Sequence, residues 1–325
     1  MLFLHSMAFF HMKRFLFIGA LFGLLALPKL SQAQYNTDFG FRLGAAFYFG
    51  DLAGTGATPK FGPLDIQFNQ MGLNFGLSGR KFLTPAFALQ GGFNYARLKG
   101  TDEFSNESPE RYSRNLSFRN DIFELSARFE YHFLHLRDVG HTYRYKLGFT
   151  SFIFLGAGAF YNNPKAELNG TWHALQPIET EGNKYSKIQM AVPMGLGFEF
   201  RINKKHLIGW EVSARMTFTD YVDDVSSKYQ HNSKFDDDPI AKALQDRSVE
   251  IDPQDQSYVN PVYYSYGSDL ESTGIRGDED NNDWYMWTGV TYKYSIRGKR
   301  KSKFNKRRYP FVHRKIKRRR SRAKF

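Results

Sequence analysis

The feature that most constrains the fold is an alternation of apolar and polar residues with a period of two. It begins with Phe39, Phe41 and Leu43 at odd positions, and with small or charged residues between them. A period of two places the two sets on opposite faces of a β-strand. The pattern occurs eight times and predicts an all-β chain. The predicted strands contain residues 39–49, 71–77, 87–95, 123–133, 153–161, 188–202, 208–218 and 284–294.

The polar faces of these strands carry charges of both signs. In a secreted soluble sandwich these charges would face water, whereas in a membrane barrel they would line the lumen and pair there. An unpaired buried charge costs several kcal/mol, so a balance of signs on one face favours the closed barrel. We therefore expect lumen ion pairs among Arg42, Glu124, Arg128, Glu130, Glu199, Arg201, Glu211 and Arg215.

The lengths of the links between strands favour the same fold. Short links at 84–85, 137–140 and 203–205 alternate with links of about 16, 19, 24 and 60 residues. Outer-membrane barrels have short periplasmic turns and long outer loops. The sequence thus predicts an eight-stranded antiparallel transmembrane outer-membrane β-barrel over residues 34–296, with long extracellular loops. Aromatic residues near the strand ends are predicted to form the interfacial girdles: Tyr48, Tyr95, Tyr161, Trp210, Tyr221 and Trp284.

The N-terminus has the organisation of a secretory signal peptide. Lys13 and Arg14 precede an apolar run from residue 15 to 27, and a small-residue cleavage pattern ends at Ala33. We predict a signal peptide over residues 1–33, with Met12 as an alternative start. An uncleaved anchor is disfavoured because the apolar run is shorter than the roughly 20 residues of a spanning helix. The chain also contains no cysteine, which excludes disulfides and thiol chemistry.

The C-terminus is strongly basic. Residues 297–325 contain sixteen Lys and Arg and no acid, whereas residues 34–296 contain 26 basic and 32 acidic residues. An even strand number places both termini, and therefore this tail, in the periplasm of a Gram-negative bacterium. We expect a disordered tail that binds anionic lipid headgroups, an acidic protein surface or the cell wall, and no nucleic acid. Its candidate binding residues are Lys299, Arg300, Lys301, Lys306, Arg307, Arg308, Lys317, Arg318, Arg319 and Arg320.

No residue pattern indicates catalysis. His132, His135, His141 and His173 are candidates for a serine and histidine pair of a lipid-modifying barrel, but no spacing marks a nucleophile. We expect no enzymatic activity and no required cofactor. Oxygen-rich segments at 236–238 and 278–283 are compatible with calcium-bridged loops or with ordinary solvated loops.

Four motifs resemble one known family. They are Tyr48-Phe49-Gly50-Asp51-Leu52, residues 160–166 (FYNNPKA), residues 175–182 with Leu-Gln-Pro and Thr-Glu-Gly, and residues 220–226 (DYVDDVS). Together they resemble the PorG-like outer-membrane barrels of the type IX secretion system. The resemblance implies a non-enzymatic barrel of the secretion and gliding machinery. It also implies contact with a periplasmic ring made of a PorK-like lipoprotein and a PorN-like protein.

Two other functions are compatible with the same fold. One is a small porin or transporter, and the other is a surface-loop adhesin of OmpA/OmpX-like architecture. The porin requires an open lumen, whereas the adhesin depends on the outer loops.

Overall fold

A computed structural model describes residues 36–53, 66–105, 108–136, 148–203, 205–230, 232–251 and 276–297 of the chain. Eight long strands form a barrel wall: β1 (Asn36–Phe49), β2 (Gly72–Phe82), β3 (Phe87–Thr101), β4 (Ser117–Leu136), β5 (Gly148–Tyr161), β8 (Ile188–Arg201), β9 (His206–Thr217) and β10 (Trp284–Arg297). The predicted signal peptide and basic tail lie outside the described residues.

The wall strands form one sheet whose order is β3-β2-β1-β10-β9-β8-β5-β4, and a further β3–β4 pairing closes it. The predicted closed antiparallel barrel of eight strands is confirmed. The strands are 11 to 20 residues long. A tilted strand needs about 9 to 11 residues to cross a bilayer, so β3 and β4 extend well beyond that thickness. The short links β2–β3 and β8–β9 define the turn end of the barrel, and the opposite end is the loop end.

The alternation in the sequence corresponds to two faces of the barrel wall. In β2, Leu73, Phe75 and Leu77 are exposed, whereas Asn74 and Gly76 between them are buried. Because β2 pairs antiparallel with β1 and β3 in a continuous register, the exposed residues of neighbouring strands form a continuous apolar surface. An apolar outer band of this kind contacts lipid in membrane-spanning barrels.

The loop end of the interior is filled by an apolar core. Ala46, Ile122, Phe160 and other strand residues pack with Leu52 and Val222 from the loops in one buried cluster. Trp287, on β10, is fully buried in the same cluster. The loops therefore close this end of the barrel with apolar side chains.

The loops contain short elements that the alternation did not predict. A hairpin of β6 (Lys165–Leu168) and β7 (Thr171–Ala174) follows β5. Helices α1 (Pro109–Arg114) and α2 (Pro239–Gln245) each begin with proline, and Asp238 caps α2 by accepting hydrogen bonds from the N–H groups of Ile240 and Ala241. Elements of four to seven residues are too short to show a reliable period in sequence.

We use the term loop cap for the described segments that cover the loop end. They are residues 50–53, 102–105, 108–116, 162–187, 218–230, 232–251 and 276–283.

Candidate functional site

The largest ion-pair cluster of the lumen surrounds Arg80 on β2. Its guanidinium lies 2.6 Å from Asp38 Oδ2, 2.8 Å from Glu199 Oε1 and 3.2 Å from Glu130 Oε2. Lys293 Nζ lies 2.6 Å from the same Glu199 oxygen. All five side chains are buried, so each charge depends on its partners for solvation.

A second cluster surrounds Glu211 on β9. Arg42 Nη1 donates to Glu211 Oε1 at 2.6 Å, and Arg128 donates to both carboxylate oxygens at 2.7 and 2.6 Å. Arg42 also donates to the side-chain carbonyls of Asn74 and Asn94 at 2.9 and 2.6 Å. The pairing of two arginines with one carboxylate joins β1, β4 and β9 across the lumen.

A third cluster joins the ion pairs to the apolar core. Arg215 Nε donates to Glu124 Oε2 at 3.1 Å, and the Tyr285 hydroxyl donates to the same oxygen at 2.9 Å. The guanidinium carbons of Arg215 and Arg42 lie 3.0 and 4.8 Å from the ring centroid of Trp287. A desolvated cation over an aromatic face is stabilised by the ring quadrupole.

The buried charges of the described lumen balance. Five are positive, namely Arg42, Arg80, Arg128, Arg215 and Lys293. Five are negative, namely Asp38, Glu124, Glu130, Glu199 and Glu211. A cavity of about 20 Å³ remains beside Arg42, Gln90 and Arg128, which is enough for roughly one water molecule. The buried charges of the described lumen are thus paired across the interior.

The loop cap contains a second group of buried carboxylates with a different environment. Asp51, Asp220, Asp223 and Asp283 are buried, and in the described part of the chain none of them forms an ion pair with a lysine or arginine. Arginines of the cap pair elsewhere, since Arg114 binds Asp102.

Burial controls the acidity of this group. It raises the pKa of Asp51 to about 6 and that of Asp220 to about 9. Burial, and then the neighbouring carboxylates, also raises the pKa values of Asp223 and Asp283 well above their ordinary range. Both oxygens of Asp220 are buried and lack a hydrogen bond of normal geometry, although Ser226 is a polar neighbour that lowers its pKa.

Another cap cluster contains an arginine that is paired with a carboxylate. Arg276 Nη1 donates to Glu181 Oε1 at 2.9 Å, and Glu181 also accepts from the backbone N–H groups of Ser226 and Ser227 at 3.0 and 2.9 Å. Asp224 accepts from the Thr180 hydroxyl at 2.6 Å. These contacts join the segment 175–187 to the segment that follows β9.

A family model described as a domain of unknown function (DUF6089) matches residues 13–237. The chain belongs to this family. No curated protein matches the chain.

Several solved outer-membrane barrels resemble this DUF6089 chain. The alignment with the N-terminal β-barrel domain of Pseudomonas aeruginosa OprF has 8% identity and a TM-score of 0.32, and it covers 81% of this chain and 97% of the OprF domain. Ail of Yersinia pestis is 9% identical, covers 82% and 100%, and has a TM-score of 0.32. A major outer membrane protein of Thermus thermophilus is 10% identical, covers 80% and 99%, and has a TM-score of 0.30.

The DUF6089 chain brings most of the predicted lumen residues together. Seven of the eight lie in the three clusters, and Arg201 is half-buried at the turn end of β8, two residues beyond Glu199. Asp38 was missed because it precedes the first apolar residue of the alternation. Its even position, shared with Arg42, was the available signal.

One predicted girdle residue is in a different place. Tyr48 is buried beneath the loop cap, where its hydroxyl contacts Asp223 and Asp283. The prediction that Tyr48 lies at the lipid interface is therefore wrong. Tyr48 has an even position in β1, as Arg42 does, and its side chain therefore points into the barrel. The girdle prediction was based only on the nearness of an aromatic residue to the strand end and did not use this parity. Trp210, by contrast, is exposed on the outer face.

The described candidate histidines lie on β4 and β7, since His132 and His135 are both on β4. His132 is buried in the lumen, 3.2 Å from Glu130, and its ring stacks on Phe152 and is tilted by 46° against Phe82. His173 lies on β7 in the loop cap, and His141 lies outside the described residues.

Three other predictions can be located in the DUF6089 chain. The ten tail residues from Lys299 to Arg320 lie outside the described part. Among the residues that the structure describes, no three acidic or histidine side chains are arranged to hold a metal ion, including the segments 236–238 and 278–283. No helix in the described ranges is long and apolar enough to cross a membrane.

Proposed function

We propose that this chain is a non-enzymatic outer-membrane barrel of a type IX secretion and gliding machinery. In this proposal its turn end faces the periplasm and binds a ring of PorK-like and PorN-like proteins. The observation that carries the proposal is a separation of charge between the two ends of a barrel whose described lumen is packed.

The loop end is acidic. The described cap segments 218–230, 232–251 and 276–283 contain twelve acidic and five basic residues. At the turn end, the turn at 201–205 contains Arg201, Lys204 and Lys205 without an acid, and in the sequence the sixteen positive charges of residues 297–325 come directly after residue 296. Charge complementarity steers association and excludes partners of like charge. A basic turn end therefore fits an acidic periplasmic surface.

The lumen supports an anchoring role over transport. Arg80, Arg128 and Arg215 each pair across the interior, and the cavity beside Arg42 and Arg128 is about 20 Å³. A porin needs a water-filled channel along the whole barrel. The porin alternative thus requires the three clusters to separate at a cost of several kcal/mol per unpaired charge.

The family motifs support a structural role for the loop cap. Tyr48 and Leu52 of the first motif contact Asp223 of the 220–226 motif, where the Leu52 N–H lies 3.3 Å from Asp223 Oδ2. Thr180 and Glu181 bind the same segment. The residues that carry the resemblance are therefore mutual packing partners, and together they form the cap.

Site-specific crosslinking tests the proposal. A photoreactive residue at Lys81 or Lys205, both exposed at the turn end, is expected to capture the ring proteins in cells. The same residue at Lys242 in the acidic loop cap is the matched control and is expected to capture neither of them. Capture of the ring proteins from Lys242 and not from Lys81 or Lys205 would contradict the proposed orientation.

Deletion of residues 297–325 tests the contribution of the tail. We expect the deleted barrel to fold but to lose salt-sensitive association with the ring, because exposed charges interact within a Debye length of about 8 Å at physiological salt. A second variant, in which glutamine replaces the basic residues of the tail, keeps the length of the tail. It therefore distinguishes the effect of the tail's charge from the effect of its length. If both variants co-purify with the ring proteins as the wild type does, the tail does not contribute to binding.

A further inference from the structure

The Tyr48 hydroxyl lies between two carboxylates. Its oxygen is 2.7 Å from Asp223 Oδ2 and 2.5 Å from Asp283 Oδ1. A phenol has one hydrogen and can donate it to only one of these oxygens. Both distances are those of O–H···O hydrogen bonds, so the second contact needs a second proton.

The other contacts of the two carboxylates indicate which one carries the proton. Asp223 Oδ2 also faces the Leu52 N–H at 3.3 Å, and its Oδ1 accepts from the Val225 N–H at 2.9 Å. Asp283 Oδ2 accepts from the Val222 N–H at 2.8 Å, but Oδ1 has the Tyr48 hydroxyl as its one hydrogen-bond partner in the described part of the chain. Asp223 therefore has the surroundings of an acceptor, and Asp283 Oδ1 is the site for a donated proton.

We propose that Asp283, Tyr48 and Asp223 form a proton-dependent latch that holds the segment 219–226 against the loop ends of β1 and β10. Protonated Asp283 donates to Tyr48, and Tyr48 donates to Asp223. Loss of the Asp283 proton leaves its carboxylate facing an oxygen without a hydrogen, and the latch opens. The latch is independent of the proposed secretion role.

The surroundings favour retention of the proton. Asp51 and Asp220 are further acids that raise the pKa of Asp283, while Arg114 lowers the pKa of Asp51 and of Asp223. Glu181 also acts on Asp51 and Asp220, and Asp278 acts on Asp51, to which its backbone N–H donates. Burial and this excess of acids raise the pKa of Asp283, in agreement with the hydrogen count.

Gly50 makes the arrangement sterically feasible. A Cβ at this position would lie 1.9 Å from Asp283 Oδ1 and 2.0 Å from the Tyr48 hydroxyl oxygen. The two groups can therefore meet only because residue 50 has no side chain. Gly50→Ala should separate them while leaving all titratable groups in place.

Hydrogen exchange of the purified full-length barrel tests the latch through the segment 219–226. With protection factors corrected for the intrinsic exchange rate at each pH, we expect wild-type protection to fall about ten-fold or more between pH 6 and pH 10. Asp283→Asn places an amide donor toward Tyr48 and an acceptor toward Val222, and should show a clearly smaller fall than wild type over this range. The remaining fall belongs to Asp220, whose pKa is about 9 and which lies in the same segment. Asp236→Asn removes an exposed carboxylate from the same cap and should behave as wild type.

Tyr48→Phe and Gly50→Ala provide independent variants. Both should show low protection of residues 219–226 at every pH, while protection of β8 stays unchanged. The proposal is wrong if wild type shows no fall, if Asp283→Asn retains the wild-type fall, or if Tyr48→Phe is as protected as wild type. It is also wrong if EDTA at pH 7 opens the segment, because a cation would then take the place of the proton.

Discussion

The lumen and the loop cap both bury acidic residues, but they neutralise them in different ways. In the lumen, Glu199 and Glu211 each contact two cationic side chains, and the charges balance. In the cap, Asp223 and Asp283 share a tyrosine hydroxyl and have no cationic partner in the described residues. A buried carboxyl group can thus be stabilised as a carboxylate by a cationic side chain or as a neutral acid by a retained proton. Only the retained proton makes the stability of the fold depend on pH near neutrality.

Among the substitutions considered, removal of the Arg80 guanidinium from the lumen is expected to lower the free energy of unfolding most. Arg80→Met leaves the buried Asp38 without a cation in the described lumen and removes one of the two cations that pair with Glu199, and it should lower the free energy of unfolding by about 3 to 5 kcal/mol. Urea unfolding in lipid vesicles measures this loss. Arg97→Met is the control, because Arg97 and Asp121 are partly exposed and should contribute at most about 1 kcal/mol.

Replacement of a whole ion pair would sharpen the contrast. Arg215→Met alone should destabilise the barrel by about 3 kcal/mol, because it leaves Glu124 charged and buried. The double variant with Glu124→Met should recover most of this loss. Additive losses in the double variant, measured by the same unfolding experiment, would show that the pair contributes more than charge neutralisation.

Substitution of Asp51 tests whether a buried carboxyl of the loop cap makes stability depend on pH. Burial raises its pKa to about 6 from an ordinary value of 3.8, so the folded chain retains this proton to higher pH than the unfolded chain. Stability is therefore full below about pH 4 and falls as the pH rises through 6. Asp51→Asn should remove this part of the slope, at most about 3 kcal/mol, in unfolding measured from pH 4 to 7. An unchanged slope would mean that Asp51 is ionised in the folded cap.

The smallest effect is expected at the cap surface. Asp236 pairs with Lys242 on α2 at 2.6 Å, but both side chains are about half exposed. Asp236→Asn should change the free energy of unfolding by less than about 0.5 kcal/mol and should leave its pH dependence unaltered. A larger change would show that exposed cap charges are coupled to the buried group.

The same two regions differ in how far the sequence predicts them. Strand parity placed Arg42, Glu124 and Glu211 on the inner face because a period of two is a local property of the chain. It could not pair them, since partners such as Arg42 and Glu211 are 169 residues apart and meet only through barrel closure.

The cap was beyond this kind of prediction. Tyr48, Asp223 and Asp283 come from one strand end and two loop segments, and no period relates them. The motifs around Tyr48 and Asp223 were recognisable, but their contact depends on how irregular loops fold over the barrel. Gly50 between Tyr48 and Asp51 was the available local sign of a close approach.

The position of Trp287 between Arg42 and Arg215 gives the barrel an internal optical reporter. The chain has four tryptophans, of which Trp210 faces outward, Trp172 is exposed on β7 and Trp284 is half-buried. Quenchers dissolved in lipid reach Trp210, and quenchers in water reach Trp172, whereas neither reaches the indole of Trp287. In a variant that retains only this tryptophan, emission intensity and wavelength would follow the two flanking guanidinium groups and register any separation of the lumen ion pairs.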